Sequence, residues 1–288
     1  MGRLERGVAL VSGCSTGIGR EVARLLASKG HTVVAGARDP ATLRDLEKAH
    51  PGGLHAVAWD VADAASTRRA VLGTIERHGA IDLLVNNAGY GQMGPLVEVD
   101  RDAWRRQLET NVIGLADASS LVARAPGGMI ERRRGRIVNI GSILGRFTIP
   151  FGGAYGASKH AVEAVSDALR VELAPFGIHV ILVEPGPVIT RFGENAWRTV
   201  EPLLARRDTP YEYLRPVIER RTRISQESGI SAAACARVVV RAATASRPPP
   251  RRLVTPQARL ALWLRRLLPD RILDALLKRA FGLSGSAP

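Results

Sequence analysis

The chain has 288 residues, enough for one large α/β domain with a sizeable core, and its 45% hydrophobic content excludes wholesale disorder. The formal net charge of +14 raises the question of a nucleic-acid partner, but the basic residues are spread along the chain and accompany no helix-turn-helix, zinc-finger or RNA-binding motif. We therefore expect no nucleic-acid partner and no metal and, since Cys14 and Cys235 stand in no ligand spacing, no disulfide framework.

The sequence carries no obvious targeting segment. The N-terminal region contains only the short apolar run VALV, whereas a secretory signal needs about 7–15 apolar residues. No stretch approaches the ~18–20 apolar residues of a transmembrane helix. Together with the sparse cysteines, these features predict a cytoplasmic protein.

In chain order, short apolar runs predict strands that alternate with helices. The predicted strands are 8–12, 32–36, 55–60, 82–86, 135–141, 179–186 and 251–255. The predicted helices are 17–28, a helix capped by Asp39 with Pro40 at its first position, 64–78, one from about Asp102, one that holds Tyr155, and 232–245. Strands that are apolar on both faces need helices on both sides of a parallel sheet. The fold class is therefore α/β, a doubly wound, Rossmann-like parallel sheet of about seven strands in the order 3-2-1-4-5-6-7.

We expect a single Rossmann-type domain over residues 1–255 and a basic amphipathic extension over 256–288. The stretch 187–230 holds four prolines and is the one irregular segment predicted. It follows the sixth strand at the carboxyl edge of the sheet, where such folds bind ligands, and is the expected substrate lid. Its apolar side chains suit a bulky hydrophobic substrate or, equally, simply pack the lid; they are Phe192, Trp197, Leu203, Leu204, Tyr211, Tyr213, Leu214 and Ile218.

The motif SGCSTGIG lies between the first strand and the first helix and favours a nucleotide site. Gly13 permits a tight turn, Gly17 lets the backbone approach a pyrophosphate, and Gly19 allows the helix to pack closely on the strand. The helix N-terminus offers amides and partial positive charge to the phosphates. The spacing is neither G-x-G-x-x-G nor that of an ATPase phosphate loop. We expect cofactor contacts along this loop from Gly13, Ser15, Thr16, Gly17, Ile18 and Gly19.

The end of the second predicted strand bears on the choice of cofactor. Gly36 supplies no carboxylate for the ribose hydroxyls of NAD, and Arg38 can pair with a 2′-phosphate. Asp39 competes for the NAD role by its distance from the glycine loop, but the following Pro40 favours a helix cap there. The sequence thus favours NADP(H) over NAD(H).

Tyr155 and Lys159 stand one helical turn apart in the stretch AYGASKHAVEAV. Residues i and i+4 share a helix face, so an ammonium would lie beside a phenol and lower the pKa of the tyrosine. That would suit proton transfer near neutral pH. Taken alone, such a pair is common and usually idle.

Taken together, the motifs resemble those of the short-chain dehydrogenase/reductase family in its single-domain form, and look similar to steroid- and retinol-type members. The matching motifs follow the family's order, strongly over residues 5–190, and Ser12 replaces the usual threonine. They are SGCSTGIG, WDVAD around Asp60, NNAG at 86–89, Asn111 in TNVIG, Ser142 in NIGS, YGASK at 155–159 and EPGPVIT at 184–190.

The resemblance implies a catalytic tetrad of Asn111, Ser142, Tyr155 and Lys159. Tyr155 would act as general acid and base, Lys159 would lower its pKa and bind the nicotinamide ribose, Ser142 would orient the substrate oxygen, and Asn111 would hold a water linking Lys159 to solvent. Further cofactor contacts are implied at Asp60, Val61, Asn87, Ala88, Gly89, Pro185, Gly186, Val188 and Thr190. Taken singly, Ser142, Asp60 and Thr190 also suit local capping, and Asn111 a helix surface.

The implied activity is NADP(H)-dependent interconversion of an alcohol and its carbonyl by hydride transfer, on a hydrophobic steroid-, retinoid-, polyketide- or lipid-like small molecule. The alternatives are a non-catalytic NAD(P)H-binding sensor or scaffold, and an epimerase or dehydratase on the same fold. The resemblance also implies a homodimer or homotetramer. The tail from Pro256 carries leucines at helical spacing and then restarts a helix at Pro269-Asp270. We expect it to cover a pocket or a subunit interface rather than a membrane.

Overall fold

The computed structural model describes residues 4, 6–206, 209–220 and 229–284, and its central feature is a parallel sheet of seven strands. Two further strands, of two residues each, pair with one another. In chain order the strands are β1 (Val8–Val11), β2 (Thr32–Ala37), β3 (Leu54–Ala58), β4 (Leu83–Asn86), β5 (Gly135–Ile140), β6 (Ile178–Glu184), the short β7 (Val188–Ile189) and β8 (Ile230–Ser231), and β9 (Arg251–Leu253). The sheet order is β3-β2-β1-β4-β5-β6-β9, which confirms the predicted doubly wound topology.

Helices cover both faces of this sheet. They are α1 (Gly17–Ser28), α2 (Arg44–Ala49), α3 (Ala64–His78), α4 (Arg101–Leu108), α5 (Gly114–Arg124), α6 (Met129–Arg132), α7 (Gly153–Glu172), α8 (Phe192–Leu204), α9 (Ala232–Thr244), α10 (Pro256–Leu267) and α11 (Asp270–Ala280). Alternation along the strands divides the core in two. On β1, Ala9 and Val11 pack with α1 and α9, whereas Leu10 packs with α3 and α5.

Two local predictions have clear outcomes. Asp39 caps a short 3₁₀ helix over Pro40–Leu43, because its side chain accepts a 2.9 Å hydrogen bond from the Ala41 amide. The expected irregularity of 187–230 is wrong in part, because α8 forms within it and holds Pro202 in its last turn. That helix is stabilised by burial of Val200 and Leu204, which outweighs the proline. Residues 207–208 and 221–228 of the predicted lid lie outside the described residues.

The tail begins as expected, with two helices separated at Pro269. Thr255 caps α10, accepting a 3.3 Å hydrogen bond from the Ala258 amide. Leu268 and Pro269 have extended backbone, so the helix stops and restarts at Asp270. Residues 285–288 of the predicted extension lie outside the described part of the chain.

A buried pair of carboxyl groups joins α7 to the end of β6. Glu163 and Glu184 are 8% and 1% exposed, and their carboxyls face one another within hydrogen-bond reach. Arg251 contacts Glu163 at 3.1 Å, and Arg146 contacts Glu184 at 3.3 Å. The remaining oxygens, Glu163 Oε1 and Glu184 Oε2, find no donor from another side chain or amide in the described residues. A proton on Glu163, donated to Glu184, would satisfy both oxygens.

Burial, followed by the neighbouring charge of Glu184, raises the pKa of Glu163 to about 7, against the opposing effect of Arg251. A carboxyl whose pKa is raised by folding binds more protons in the folded state. Its contribution to stability is therefore present below its unfolded pKa and is lost as the pH rises through the folded value. The folded protein should lose stability between about pH 4.5 and about pH 7 on account of this group.

We therefore expect Glu163→Gln to gain stability relative to the parent protein as the pH rises across that window. The gain in the free energy of unfolding should reach about 1–2 kcal/mol, since a neutral amide avoids both desolvation and repulsion from Glu184. Urea unfolding followed by circular dichroism at several pH values measures it.

The matched control is Glu172→Gln, which removes an exposed carboxylate from the same helix and should leave the pH profile unchanged. Parallel profiles for Glu163→Gln and the parent protein would show that folding does not raise the pKa of Glu163.

Candidate active site

The glycine loop between β1 and α1 has the backbone that a phosphate cradle requires. Gly13 and Gly17 have φ of 68° and 65°, which strongly favour glycine. A Cβ at Gly13 would lie 2.7 Å from the Ala88 Cα, so only glycine fits against the loop that follows β4. Thr16, the N-cap of α1, makes no side-chain capping bond, and no acidic residue occupies the first turn. The first amides of α1 are therefore suited to an anionic group.

Ser12 joins this loop to the segment after β4. Its hydroxyl accepts hydrogen bonds from the Asn87 and Ala88 amides, both at 3.0 Å, and is itself buried. The Asn87 side chain donates in return to the carbonyls of Ser12 and Gly13, both at 3.0 Å. Asn87 thus holds the two loops together through its side chain, and its amide nitrogen is already committed. The sequence shows only that Ser12 stands where the family usually has threonine, and this structural role is visible only in the fold.

The two aspartates predicted near the cofactor, Asp39 and Asp60, each accept a hydrogen bond from a nearby backbone amide. Asp39 caps its 3₁₀ helix, as described above, whereas Arg38 is exposed at the end of β2. Asp60 accepts a 3.0 Å hydrogen bond from the Ala62 amide, which closes a turn after β3, and the adjacent Val61 is buried. Gly36 leaves room for the buried Trp59, whose ring would lie 2.5 Å from an added Cβ.

Tyr155 and Lys159 lie in the first half of α7, at the end of β5. The phenol of Tyr155 hydrogen-bonds the Ser142 side chain, and both residues are under 10% exposed. Lys159 Nζ lies 5.8 Å from the centroid of the Tyr155 ring and donates a 2.8 Å hydrogen bond to the Ile140 carbonyl. The predicted adjacency of the pair is present, and β5 supplies the acceptor that holds the amine.

The predicted lowering of the tyrosine pKa is wrong for the protein alone. Burial raises the pKa of Tyr155 to about 12, against the opposing effect of the Ser142 hydrogen bond. Burial likewise lowers the pKa of Lys159 to about 8. Desolvation therefore dominates both groups, because each is enclosed and the ammonium sits over the ring rather than at the phenol oxygen.

Asn111 lies in a π-helical turn, Glu109–Ile113, between α4 and α5. Its amide nitrogen donates to the Tyr90 carbonyl and to the Ser158 hydroxyl, both at 3.0 Å, and its oxygen accepts from the Tyr90 amide at 3.1 Å. Ser158 in turn donates to the Tyr155 carbonyl at 2.7 Å. Asn111 therefore connects the loop after β4 to the helix that carries Tyr155. Gly89 is exposed beside it.

The loop after β6 brings the remaining predicted cofactor residues to the same edge of the sheet. The Pro185 carbonyl accepts a 3.0 Å hydrogen bond from the Ile143 amide, directly after Ser142. A Cβ at Gly17 would lie 3.2 Å from the Thr190 methyl group, so this loop meets the start of α1. Gly186 approaches Thr255, and Val188 begins β7. Ser15 and Ile18 are both partly exposed on the glycine loop.

Helix α8 lies over the catalytic tyrosine candidate. The ring of Phe192 is 5.3 Å from that of Tyr155, and Thr199 fixes the helix by accepting a 3.0 Å hydrogen bond from the Met93 amide. The lid candidates Trp197, Leu203, Leu204, Tyr211, Leu214 and Ile218 are buried or partly buried, whereas Tyr213 is 39% exposed. Tyr213 therefore does not belong to the enclosed apolar set.

Other potential sites receive little support within the described residues. No group of three or more histidine, cysteine, aspartate or glutamate side chains there is arranged to hold a metal ion. Burial raises the pKa of both Cys14 and Cys235 to about 12, so neither thiol is an activated nucleophile. Among the helices described, none has the length and apolar character needed to span a bilayer.

Comparison with known proteins agrees with this arrangement. The family model described as "short chain dehydrogenase" matches residues 7–201. The chain is 36% identical over 278 residues to the "uncharacterized oxidoreductase YbbO" of Escherichia coli strain K12, and the match covers 96% of both proteins. It is 31% identical to the "NADPH-dependent 3-dehydrocapnine reductase" of Ornithobacterium rhinotracheale, over 93% of this chain and 95% of that protein.

Two further similarities widen the comparison. Human 17-beta-hydroxysteroid dehydrogenase type 1 is 38% identical over 225 residues, which are 73% of this chain and 67% of that enzyme. A short chain dehydrogenase/reductase of Burkholderia phymatum, solved in complex with NAD, superposes with a TM-score of 0.80 at 27% identity, over 95% of this chain and 97% of that one.

We predict that Ser12→Ala loosens the junction between the two loops. Two backbone amides would lose their acceptor, which should lower the free energy of unfolding by about 1–3 kcal/mol. Urea unfolding measures the change. Ser12→Thr keeps the hydroxyl and should retain most of the stability; an alanine variant as stable as the parent would show that the hydroxyl does not hold the loops.

Proposed function

This chain belongs to the short-chain dehydrogenase/reductase family of oxidoreductases, and we propose that it reduces the carbonyl group of a hydrophobic small molecule with NADPH. The observation that carries the proposal is the hydrogen-bonded pair of Tyr155 and Ser142, enclosed beside Lys159 and beneath Phe192. Two hydroxyls within reach of each other can both donate to one substrate oxygen.

The residues present fit a nicotinamide dinucleotide. A cradle without Cβ atoms at Gly13 and Gly17 and the uncapped start of α1 suit the pyrophosphate. We assign further contacts to Ser15, Ile18, Asp60, Val61 and the loops at Asn87–Gly89 and Pro185–Thr190, all near the carboxyl ends of β1, β3, β4 and β6. When bound, the nicotinamide would supply the hydride.

Tyr155 donates the proton in this scheme. Its raised pKa of about 12 keeps the phenol protonated at neutral pH, which is the form that an acid catalyst needs. Ser142 donates a second hydrogen bond to the same oxygen and stabilises the negative charge that develops there. Both donors are held in advance, Ser142 by its bond to the Leu144 amide at 3.1 Å and Tyr155 by the start of α7.

Lys159 restores the proton. Since its pKa is lowered to about 8, the amine exchanges protons near neutral pH more readily than an ordinary lysine. Its bond to the Ile140 carbonyl keeps it beside the Tyr155 ring, where its charge stabilises the phenolate as the proton leaves. We assign to Asn111 the holding of a water between Lys159 and solvent, which its position on the adjoining π-helical turn permits.

The substrate class follows from the lid. Phe192 places its ring against that of Tyr155, and the neighbouring lid holds an apolar cluster in which the rings of Phe151 and Tyr211 meet edge to face at 6.2 Å. Such an apolar enclosure favours a bulky lipid-, polyketide- or steroid-like carbonyl over a small polar one. Two relatives, a 3-dehydrocapnine reductase and a 17-beta-hydroxysteroid dehydrogenase by name, support a hydrophobic substrate of this kind.

We predict that Tyr155→Phe lowers kcat by about 10²–10⁴-fold, because the ring remains while the proton donor is lost. Oxidation of NADPH with a panel of hydrophobic ketones measures turnover, and quenching of cofactor fluorescence measures binding, which should change little. Tyr213→Phe is the matched control, since that phenol is exposed on the lid. Full turnover by Tyr155→Phe would overturn the proposed mechanism.

Substitution of Arg38 tests the proposed preference for NADPH over NADH. We expect Arg38→Ala to weaken the apparent affinity for NADPH by about 10–100-fold, the effect of losing a charge-assisted hydrogen bond, while KM for NADH stays constant. Arg101→Ala removes an exposed arginine on α4 and should alter neither constant. An unchanged NADPH-to-NADH ratio in Arg38→Ala would refute the preference and leave the reaction class standing.

A further inference from the structure

Helices α10 and α11 expose a stripe of large apolar side chains. It comprises Leu260, Trp263, Leu264 and Leu267 on α10 and Ile272 and Leu276 on α11, which we call the tail stripe. These six are half of the twelve large apolar side chains exposed in the described residues, although they lie within seventeen consecutive positions. Trp263 alone is 60% exposed. Spacing of three and four residues puts the α10 members on one helix face.

The opposite faces of the same helices provide the contacts with the protein. Ala258 is buried, Leu262, Leu273 and Leu277 are partly buried, and the ring of Phe281 packs 6.2 Å from that of Phe151 in the lid. Phe281 therefore fixes the end of the tail to the lid, and the expectation that the tail covers a pocket or a subunit interface stays a prediction. The tail stripe takes no part in that packing and points away from it.

Basic side chains border the tail stripe. Residues 251–288 hold eight arginines and lysines against two aspartates. Among them, Arg259, Arg266, Arg271, Lys278 and Arg279 are exposed, and Asp270 is neutralised by Arg265 at 2.8 Å. The surface therefore combines an apolar strip with positive charge, on a chain whose formal net charge is +14.

We propose that the tail stripe docks on an anionic lipid surface, with the helices lying in the plane of the membrane. Leucine, isoleucine and tryptophan side chains would enter the boundary between headgroups and acyl chains while the flanking arginines and lysines meet lipid phosphates. A nucleic acid would satisfy the charge but leave six apolar side chains in water. A second copy of the chain would bury the stripe but set two strongly basic tails against each other.

Co-sedimentation with lipid vesicles tests the proposal on the full chain. We expect binding to vesicles of equimolar phosphatidylcholine and phosphatidylglycerol, at least about tenfold stronger than to phosphatidylcholine alone, and weakened by salt. Leu267→Glu should weaken binding to the anionic vesicles by about tenfold. It replaces an apolar side chain that faces the membrane with a carboxylate, which the anionic lipid repels. Val171→Glu is the matched control on α7, where the parent residue is 68% exposed, and should bind as the parent does.

Trp263 gives a second measurement. Its fluorescence should shift to shorter wavelength with anionic vesicles, and the shift should vanish in Trp263→Phe while sedimentation remains. Absence of binding, equal binding to neutral vesicles, or equal loss in Leu267→Glu and Val171→Glu would each overturn the proposal. A dimer in lipid-free solution that Leu267→Glu dissociates, as measured by light scattering, would instead identify the tail stripe as an interface between copies.

Discussion

The reversal of strand order at β1 is the constraint on which the candidate site depends. Since β1 lies between β2 and β4 and all three are parallel, the segments that leave β1 and β4 emerge side by side at one edge. They cannot splay apart, because the Ser12 hydroxyl accepts from two amides of the second segment while Asn87 donates back to the first. Four hydrogen bonds of 3.0 Å thus set the width of the cleft in which a dinucleotide would lie. Because the two segments lie so close together, a side chain at Gly13 would collide with Ala88.

A ladder of buried polar groups fixes α7, the helix that carries Tyr155, to the sheet beneath this cleft. Asn86 on β4 donates to Asn139 on β5, and Asn139 donates to Ser166 on α7, both at 2.9 Å. Seven residues earlier, Lys159 reaches the Ile140 carbonyl of the same strand. An unsatisfied buried polar group costs about 1–3 kcal/mol, so sliding or rotating α7 would break bonds at two levels at once. The position of Tyr155 is therefore set by polar register as well as by apolar packing.

Sequence patterns recovered the sheet, because runs such as VALV and the strand before Pro185 are apolar on both faces and admit few other structures. They also placed Tyr155, Lys159 and Ser142 together. What they missed depends on three-dimensional contact. The Asn87 side chain is used by a contact between two loops that only the folded chain brings within reach. The i, i+4 rule predicts that Lys159 lies next to Tyr155, but it does not predict that Tyr155 is buried. That burial raises the pKa of Tyr155, which is the reverse of the expected shift. The contact between Glu163 and Glu184 could not be predicted, because it depends on how α7 is aligned against β6.

The lid and the tail share one apolar cluster, so the packing around the candidate site extends beyond the sheet. Phe151 lies just before α7, and it contacts Tyr211 of the lid on one side and Phe281 of the tail on the other. Leu283 packs on the same cluster, beside buried Leu204 and Leu214. Any displacement of the end of α11 would therefore be felt directly by the lid cluster that holds Leu204 at the end of α8. The last strand of the sheet ends at Leu253, whereas the packing of the lid continues to Phe281 and Leu283 at the end of the tail.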